Sequence, residues 1–272
     1  PMSQEEVEGE APLTPIQMRY FERQGGQAHY NQAVMLELNR ELDEGRLAEV
    51  MEELIRHHDA LRMCYEPGTG GWRQFNRGVH GGDALNVIDL SEIPDPSPAI
   101  EQAGEGLQRS LSLGEGRLIR TAVIRTSERP RLMMVIHHLV VEGVSWRVLL
   151  EDLQSSYGQL SRGEEVRLGP KTSSYQKWGE ELRRYAKWEE LRAEAGYWLR
   201  GVEADALRLP LEDAWTGDRR TAPASVVEEL DEQETHKLPI QTPELYHTQI
   251  TDVLLTALAG AVAGWVGLGS QE

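Results

Sequence analysis

The sequence predicts an α/β fold, an α+β sandwich in which helices pack against sheets. Short apolar or alternating segments, typical of strands, are interspersed with segments whose apolar residues recur every three or four positions, which is typical of helices. The chain has 272 residues, of which 39% are hydrophobic and 27% are charged. We therefore expect a substantial buried core, in one large domain or two small ones.

The strand pattern is clearest in residues 132–136, which are all apolar and follow shortly after Pro130. A short apolar run bounded by a proline and polar residues predicts a buried strand. Other segments show either such runs or period-two alternation. The predicted strands cover residues 31–38, 60–65, 72–75, 84–90, 118–125, 132–137 and 225–230.

The helical pattern begins near residue 13, where Thr14 can cap a helix and Pro15 suits its first turn. In residues 43–58 the apolar side chains fall on one face, at spacings of three and four. Further predicted helices cover residues 100–111, 146–157, 171–199, 231–238 and 250–265. Loops are predicted in residues 201–224 and in the part of residues 78–100 that no predicted strand or helix covers. Both segments are rich in loop-forming and charged residues.

The helix predicted at 250–265 is apolar on nearly all sides. A helix of that kind belongs in a protein interior. We expect its packing partners either in earlier residues or in polypeptide outside this chain.

Composition excludes several classes of function. The formal net charge is −17, whereas nucleic acids and anionic membranes bind basic surfaces. No apolar run approaches the roughly 20 residues of a membrane helix, and the acidic residues 1–10 lack a signal-peptide core. Cys64 is the only cysteine, which excludes an intrachain disulfide. We therefore expect a cytoplasmic protein with no nucleic-acid or membrane partner.

The most informative segment is 137–143, whose sequence is His-His-Leu-Val-Val-Glu-Gly. The two histidines follow the predicted strand at 132–136, and a helical pattern begins at Val144. A strand that delivers a histidine to a loop, with an acid close by, is one way to build a fixed general base. His138 is the candidate for this role.

This segment resembles the motif of the condensation/epimerization superfamily of nonribosomal peptide synthetases, which has two histidines, three variable residues, aspartate and glycine. Here Glu142 replaces the aspartate. Residues 143–153 are similar to the epimerization branch in particular. Other segments that resemble epimerization domains are 13–17, 31–34, 58–62, 171–178, 197–199 and 248–258. The resemblance covers about residues 12–266.

The resemblance implies a chloramphenicol-acetyltransferase-like lobe, half of a two-lobe pseudo-dimer. Along the chain it implies a leader, an N-terminal acetyltransferase-like lobe, a crossover region and the first helix of a truncated C-terminal lobe. These parts cover residues 1–11, 12–180, 181–245 and 246–272 respectively. Most of the C-terminal lobe is then expected outside this chain.

The implied reaction is epimerization, from L to D, at Cα of an aminoacyl or peptidyl thioester in nonribosomal peptide synthesis. A peptidyl carrier protein would deliver the substrate on its phosphopantetheine arm, and no bound cofactor is expected. His138 would be the base, or the acid on the return. His137 is expected to face the other way in a structural role, since adjacent strand residues face opposite sides. A second catalytic group, a glutamate of the C-terminal lobe, has no match here, so we expect the isolated chain to have little or no activity.

Five further residues belong to the motif, flank it or are expected to contact it. By resemblance Glu142 pairs with Arg62 and holds the loop that leads to Gly143. A misplacement of the loop by about 1 Å can cost roughly a hundredfold in rate. Ser145 and Trp146 are expected near the substrate, although Ser145 is better suited to cap the following helix and Trp146 is better suited to the core, given its place in the apolar stripe of residues 146–157.

A second histidine cluster, His57 and His58, lies at the end of the helix predicted at 43–58. No third ligand has suitable spacing, and no metal site is predicted.

Two other functions stay open. The chain can be a condensation domain, with His138 assisting amine attack in peptide-bond formation. It can also be an inactive, truncated lobe that binds a carrier protein or organises neighbouring synthetase domains.

Overall fold

A computed structural model of the protein describes residues 3–26, 29–39, 42–79, 85–203, 226–238 and 248–266. The chain divides into two compact units, Pro1–Ala193 and Glu194–Glu272. The first unit contains two sheets with helices packed against them, which confirms the predicted α/β fold class. Within the described residues, no helix combines the length and apolar character needed to cross a membrane.

A four-stranded sheet forms the centre of the first unit, with the strand order β2-β7-β6-β5. The β5–β6 pair is parallel and the other pairs are antiparallel. All four strands agree with the predictions from alternation or from short apolar runs. They are β2 (Asn31–Glu37), β5 (Leu85–Asp89), β6 (Ile119–Arg125) and β7 (Arg131–His137).

A second, three-stranded antiparallel sheet has the order β1-β4-β3. Its strands are β1 (Gly9–Ala11), β3 (Met63–Gly68) and β4 (Gly71–Asn76). The segment 1–11, expected to be a loose leader, therefore ends in a paired strand. The strand predicted at 60–65 also begins later than expected, because Asp59–Arg62 forms a 3-10 helix.

The helices of the first unit are α1 (Pro15–Gln24), α2 (Glu44–His57), α3 (Ser97–Arg109), α4 (Gly143–Ser161), α5 (Tyr175–Tyr185) and α6 (Glu189–Ala193). Those of the second unit are α7 (Ala195–Glu203), α8 (232–238) and α9 (Ile250–Trp265). Residues 226–230 form no strand, so the strand predicted at 225–230 is wrong for the described residues. Most of the loop predicted at 201–224 lies outside the described residues.

The central sheet is covered on both faces. Leu132, Met134 and Ile136 of β7 pack in one apolar cluster with residues of α2 and α4. The alternate residues Met133 and Val135 pack in another cluster, with residues of α3. Because both faces are buried, β7 is a continuous apolar run rather than an alternating one.

Helix α1 is tied to the three-stranded sheet by a buried polar network. Thr14 is its N-cap and Pro15 lies in its first turn, as predicted. The Thr14 N–H donates to Oε1 of Gln17 over 3.0 Å. The Gln17 Nε2 donates to Oε1 of Gln74 over 2.8 Å and to the Tyr65 hydroxyl over 3.2 Å. Each of these buried polar groups therefore has a partner, as the protein interior requires.

We expect Met134→Ala to lower the free energy of unfolding by about 2–5 kcal/mol, because Met134 is fully buried and its loss leaves a cavity. Met35→Ala is the matched control. Its side chain is 42% exposed on the neighbouring strand β2, and its loss should cost less than about 1 kcal/mol. Chemical denaturation measures both, and equal losses would contradict the described packing.

Candidate active site

Strand β7 ends at His137, and the backbone N–H groups of His137 and His138 bind opposite neighbours of the strand. The His137 N–H donates to the Leu118 carbonyl over 2.9 Å, and the His138 N–H donates to the Tyr30 carbonyl over 2.8 Å. The first partner precedes β6 and the second precedes β2, the two neighbours of β7. Backbone hydrogen bonds of successive residues in an antiparallel strand alternate in this way, and the two rings have different hydrogen-bond partners.

His137 is completely buried. Its Nδ1 accepts a hydrogen bond from the Leu139 N–H over 3.2 Å. The ring makes edge contacts with Tyr20 and Tyr30, at centroid distances of 6.0 and 6.2 Å. From its buried position, the His137 side chain thus stabilises the turn that follows β7.

His138 is partly buried, and its hydrogen bonds define its tautomer. Its Nδ1 lies 2.7 Å from the Val141 carbonyl oxygen. Because a carbonyl oxygen only accepts hydrogen bonds, Nδ1 must carry the proton. In the neutral ring the lone pair is then on Nε2, which lies 3.3 Å from Nε2 of Gln32. The arrangement presents Nε2 as the basic nitrogen.

Two tyrosines pack beside the histidines. The Tyr30 ring lies against the His138 ring with centroids 4.9 Å apart, and Tyr30 is 44% exposed. Tyr20 is buried and stacks on Tyr30 at 5.1 Å. Burial, with a smaller contribution from Tyr30, raises the pKa of Tyr20 to about 12. Tyr20 is therefore a neutral phenol at physiological pH.

The acid of the motif lies at the start of α4. Glu142 is the N-cap residue and its side chain is exposed. The helix begins at Gly143, which places Ser145 inside the first turn. The expectation that Ser145 caps this helix is therefore wrong, because Glu142 already occupies the N-cap position.

Arg62 is buried beneath the end of α2, with only 4% of its surface exposed. Its Nη1 donates to the carbonyls of Ile55 and Arg56 over 2.7 and 2.8 Å. These carbonyls belong to the last turn of α2, where backbone acceptors lack helical partners. The guanidinium thus caps the helix, and its burial lowers the pKa of Arg62.

Among the described residues, the expected ion pair between Arg62 and Glu142 is not formed. The remaining polar contacts of Arg62 go to the carbonyls of Arg77 and Val7, each over 3.4 Å. The acids that act on its charge are Asp59, Glu6 and Glu8, all outside the motif. The sequence pattern could not reveal this, because the carbonyls that bind Arg62 are brought together only by the fold.

Sequence reasoning missed Gln32, which links the motif to α4. Trp146 is buried in the cluster between α2, α4 and the sheet, and its Nε1 donates to Oε1 of Gln32 over 2.8 Å. Gln32 precedes Val34 and Leu36 on the inward row of β2, and both of these pack against that cluster. The sequence did contain a signal for this role, because Gln32 is a polar residue that begins an otherwise apolar row of inward-facing positions.

The second histidine cluster gains a third member in the structure. Asp152 of α4 places Oδ2 2.8 Å from Nε2 of His58, and ligand atoms of His57, His58 and Asp152 all lie within 4.8 Å of one another. Spacing in the sequence offered no third ligand, whereas the fold supplies one. The interaction that the structure shows is the His58–Asp152 contact, which fastens the end of α2 to α4.

Comparison with known proteins identifies the family. Residues 7–267 match the family described as Condensation domain, and the chain belongs to this family of nonribosomal peptide synthetase domains. It is 41% identical over 271 residues to chondramide synthase of Chondromyces crocatus, covering 96% of this chain and 7% of that protein. It is 40% identical over 266 residues to surfactin synthase subunit 1 of Bacillus subtilis (strain 168), covering 96% of this chain and 7% of that protein. The chain thus spans a small part of the length of these relatives.

Solved structures show the same relationship. The epimerization domain from the third module of tyrocidine synthetase B matches with a TM-score of 0.87 and 34% identity, over 98% of this chain and 60% of that chain. The starter condensation domain of rhizomide synthetase matches with a TM-score of 0.63 and 18% identity, over 73% and 49%, which shows a shared fold. These matches confirm the predicted resemblance and the acetyltransferase-like lobe.

We expect Arg62→Gln to cost more than about 2 kcal/mol of stability, because buried carbonyls lose their donors. Glu142→Gln should change stability by less than about 0.5 kcal/mol, since Glu142 is exposed. Chemical denaturation of both variants and of the double variant tests this. A coupling energy above about 1 kcal/mol would indicate an ion pair between the two residues and contradict the described contacts.

Stability should fall as the pH rises from about 10 towards 12, because the pKa of Tyr20 is raised from 10.0 to about 12 in the folded state. The unfolded chain loses this proton first and is favoured as the pH increases. Tyr20→Phe should make this decrease in stability with pH smaller. The midpoint of guanidinium chloride unfolding, determined at about pH 9, 10 and 11, measures it. Tyr185→Phe removes a tyrosine that is 46% exposed and should leave the fall unchanged; equal slopes in all three proteins would contradict the assignment.

Proposed function

We propose that this chain supplies the histidine side of an epimerization site, which inverts Cα of an aminoacyl or peptidyl thioester from L to D. The observation that carries the proposal is the 2.7 Å contact between Nδ1 of His138 and the Val141 carbonyl, which requires the proton on Nδ1 and leaves Nε2 as the basic nitrogen of the neutral ring. The 34% identity to an epimerization domain supports this reaction over others in the family.

The chemistry requires removal of a weakly acidic proton. Nε2 of His138 accepts the Cα proton, and the electron pair of the C–H bond enters the thioester to form an enolate. A proton donor on the opposite face then protonates Cα, which inverts it. The imidazolium of His138 then loses its extra proton and the donor on the opposite face regains one, both by proton exchange. A base held by hydrogen bonds lowers the barrier because it needs no reorganisation.

The proposed substrate arrives on the phosphopantetheine arm of a peptidyl carrier protein. The chain matches 60% of the tyrocidine epimerization domain chain, so the donor on the opposite face is proposed to lie in polypeptide outside that match. Neighbouring synthetase domains would supply the carrier. The 272-residue chain alone should therefore epimerize little or not at all.

Condensation is the second candidate function. The matching family is described as Condensation domain, and Nε2 of His138 could equally take a proton from an attacking amine. The product distinguishes the two reactions, since condensation forms a new amide and leaves Cα unexchanged.

The decisive preparation is a chimera in which this chain replaces the matching part of the tyrocidine epimerization domain. With an L-aminoacyl carrier protein in D₂O, we expect deuterium at Cα and formation of the D-aminoacyl thioester on the carrier. His138→Ala should lower the rate by at least about 100-fold. His57→Ala, which removes a histidine outside this site, should not.

Chiral chromatography and mass spectrometry separate the outcomes. A new amide without deuterium, when a second aminoacyl carrier is present, would replace epimerization by condensation. Carrier binding without either product would favour an inactive lobe that only organises the assembly.

A further inference from the structure

Three side chains from three elements form a chain of hydrogen bonds at the motif. Trp146 of α4 donates from Nε1 to Oε1 of Gln32 over 2.8 Å. Nε2 of Gln32, on β2, lies 3.3 Å from Nε2 of His138. At the other side of the ring, Nδ1 of His138 lies 2.7 Å from the Val141 carbonyl.

The direction of these bonds follows from the groups at the two ends. An indole N–H only donates, so the Gln32 atom facing Trp146 must be its oxygen. The amide nitrogen of Gln32 then faces His138 and donates to it. The Val141 carbonyl only accepts, so it requires a proton on Nδ1. Both ends therefore specify the same neutral tautomer, with the lone pair on Nε2.

The register of the sheet places Gln32 for this contact. Gln32 pairs with Ile136 across the β2–β7 ladder, and His138 is two residues beyond Ile136. Side chains two positions apart on one strand share a face, and such diagonal neighbours are within reach of long side chains. Trp146 is buried in the core cluster, so the amide is anchored to a rigid part of the fold.

We propose that Gln32 is a positioning residue for His138, locked by Trp146 so that Nε2 remains the basic nitrogen of the neutral ring. This inference rests on the proposed epimerase function. The Gln32–His138 contact of 3.3 Å is long for a hydrogen bond, so breaking it as a substrate approaches Nε2 costs little. When Nε2 of His138 is protonated, its N–H faces the amide N–H of Gln32, which is also a donor. Two donors repel each other, so this contact favours transfer of the proton away from His138.

The isosteric variant Gln32→Glu tests the assignment. A carboxylate accepts from Trp146 and from His138 alike, so Nε2 should become protonated at about pH 7. Nitrogen NMR of the ¹⁵N-histidine-labelled chain reads this directly, with His138→Ala to assign the signals. The wild-type chain should show an unprotonated Nε2, and Gln102→Glu, at an exposed position on α3, should leave it so.

A second variant covers the case in which Gln32→Glu does not fold. Trp146→Phe removes the anchor, so the Gln32 amide can turn its oxygen to His138, and the fraction of ring protonated on Nε2 should rise. An unprotonated Nε2 in every folded variant would overturn the proposal.

Activity gives the separate readout. In the chimera, Gln32→Glu should lower kcat by at least about tenfold with little change in KM, since it acts on the base rather than on binding. If the NMR result is as expected and the wild-type chimera forms no D-residue, the proposed function fails while the positioning stands. If the chimera is active and Gln32→Glu changes neither kcat nor the NMR signal, the positioning fails alone.

Discussion

The pairing of β7 with its two neighbours is the constraint on which the site depends. Because hydrogen bonds of an antiparallel strand alternate between the two sides, two adjacent histidines at its end are bound through their backbones to different neighbouring strands. His137 is bound through its N–H to the β6 side and is buried, whereas His138 is bound to the β2 side and is partly open. One backbone pattern thus separates a structural imidazole from the proposed reactive one.

Much of the fold can be predicted from the sequence, because burial on both faces of the central sheet leaves a plain signal. The apolar run ending at His137 and the apolar face of α2 are both recognisable. The 3-10 helix at Asp59–Arg62 is not, since residues 60–62 run without a break into the residues of β3. Such short segments take the conformation that their neighbours impose, and propensity decides little there.

The site is less predictable, for a related reason. His138 can be found because a motif is local, but Gln32 lies 106 residues away along the chain. The expected ion pair between Arg62 and Glu142 is not formed, because the hydrogen-bond donors of a guanidinium can bind neutral acceptors as well as a carboxylate. The carbonyls of Ile55 and Arg56 offer acceptors at short range, and a helix end always has such acceptors to fill.

The separation of β2 and β7 along the chain has a consequence for how the protein forms. Residues 31 and 137 are register partners, so the ladder closes a long loop, and loop closure of this kind slows folding. During synthesis, β2 emerges early and remains a strand without its pairing partner until β7 leaves the ribosome. Chaperone dependence and aggregation of nascent chains should therefore concentrate in that interval.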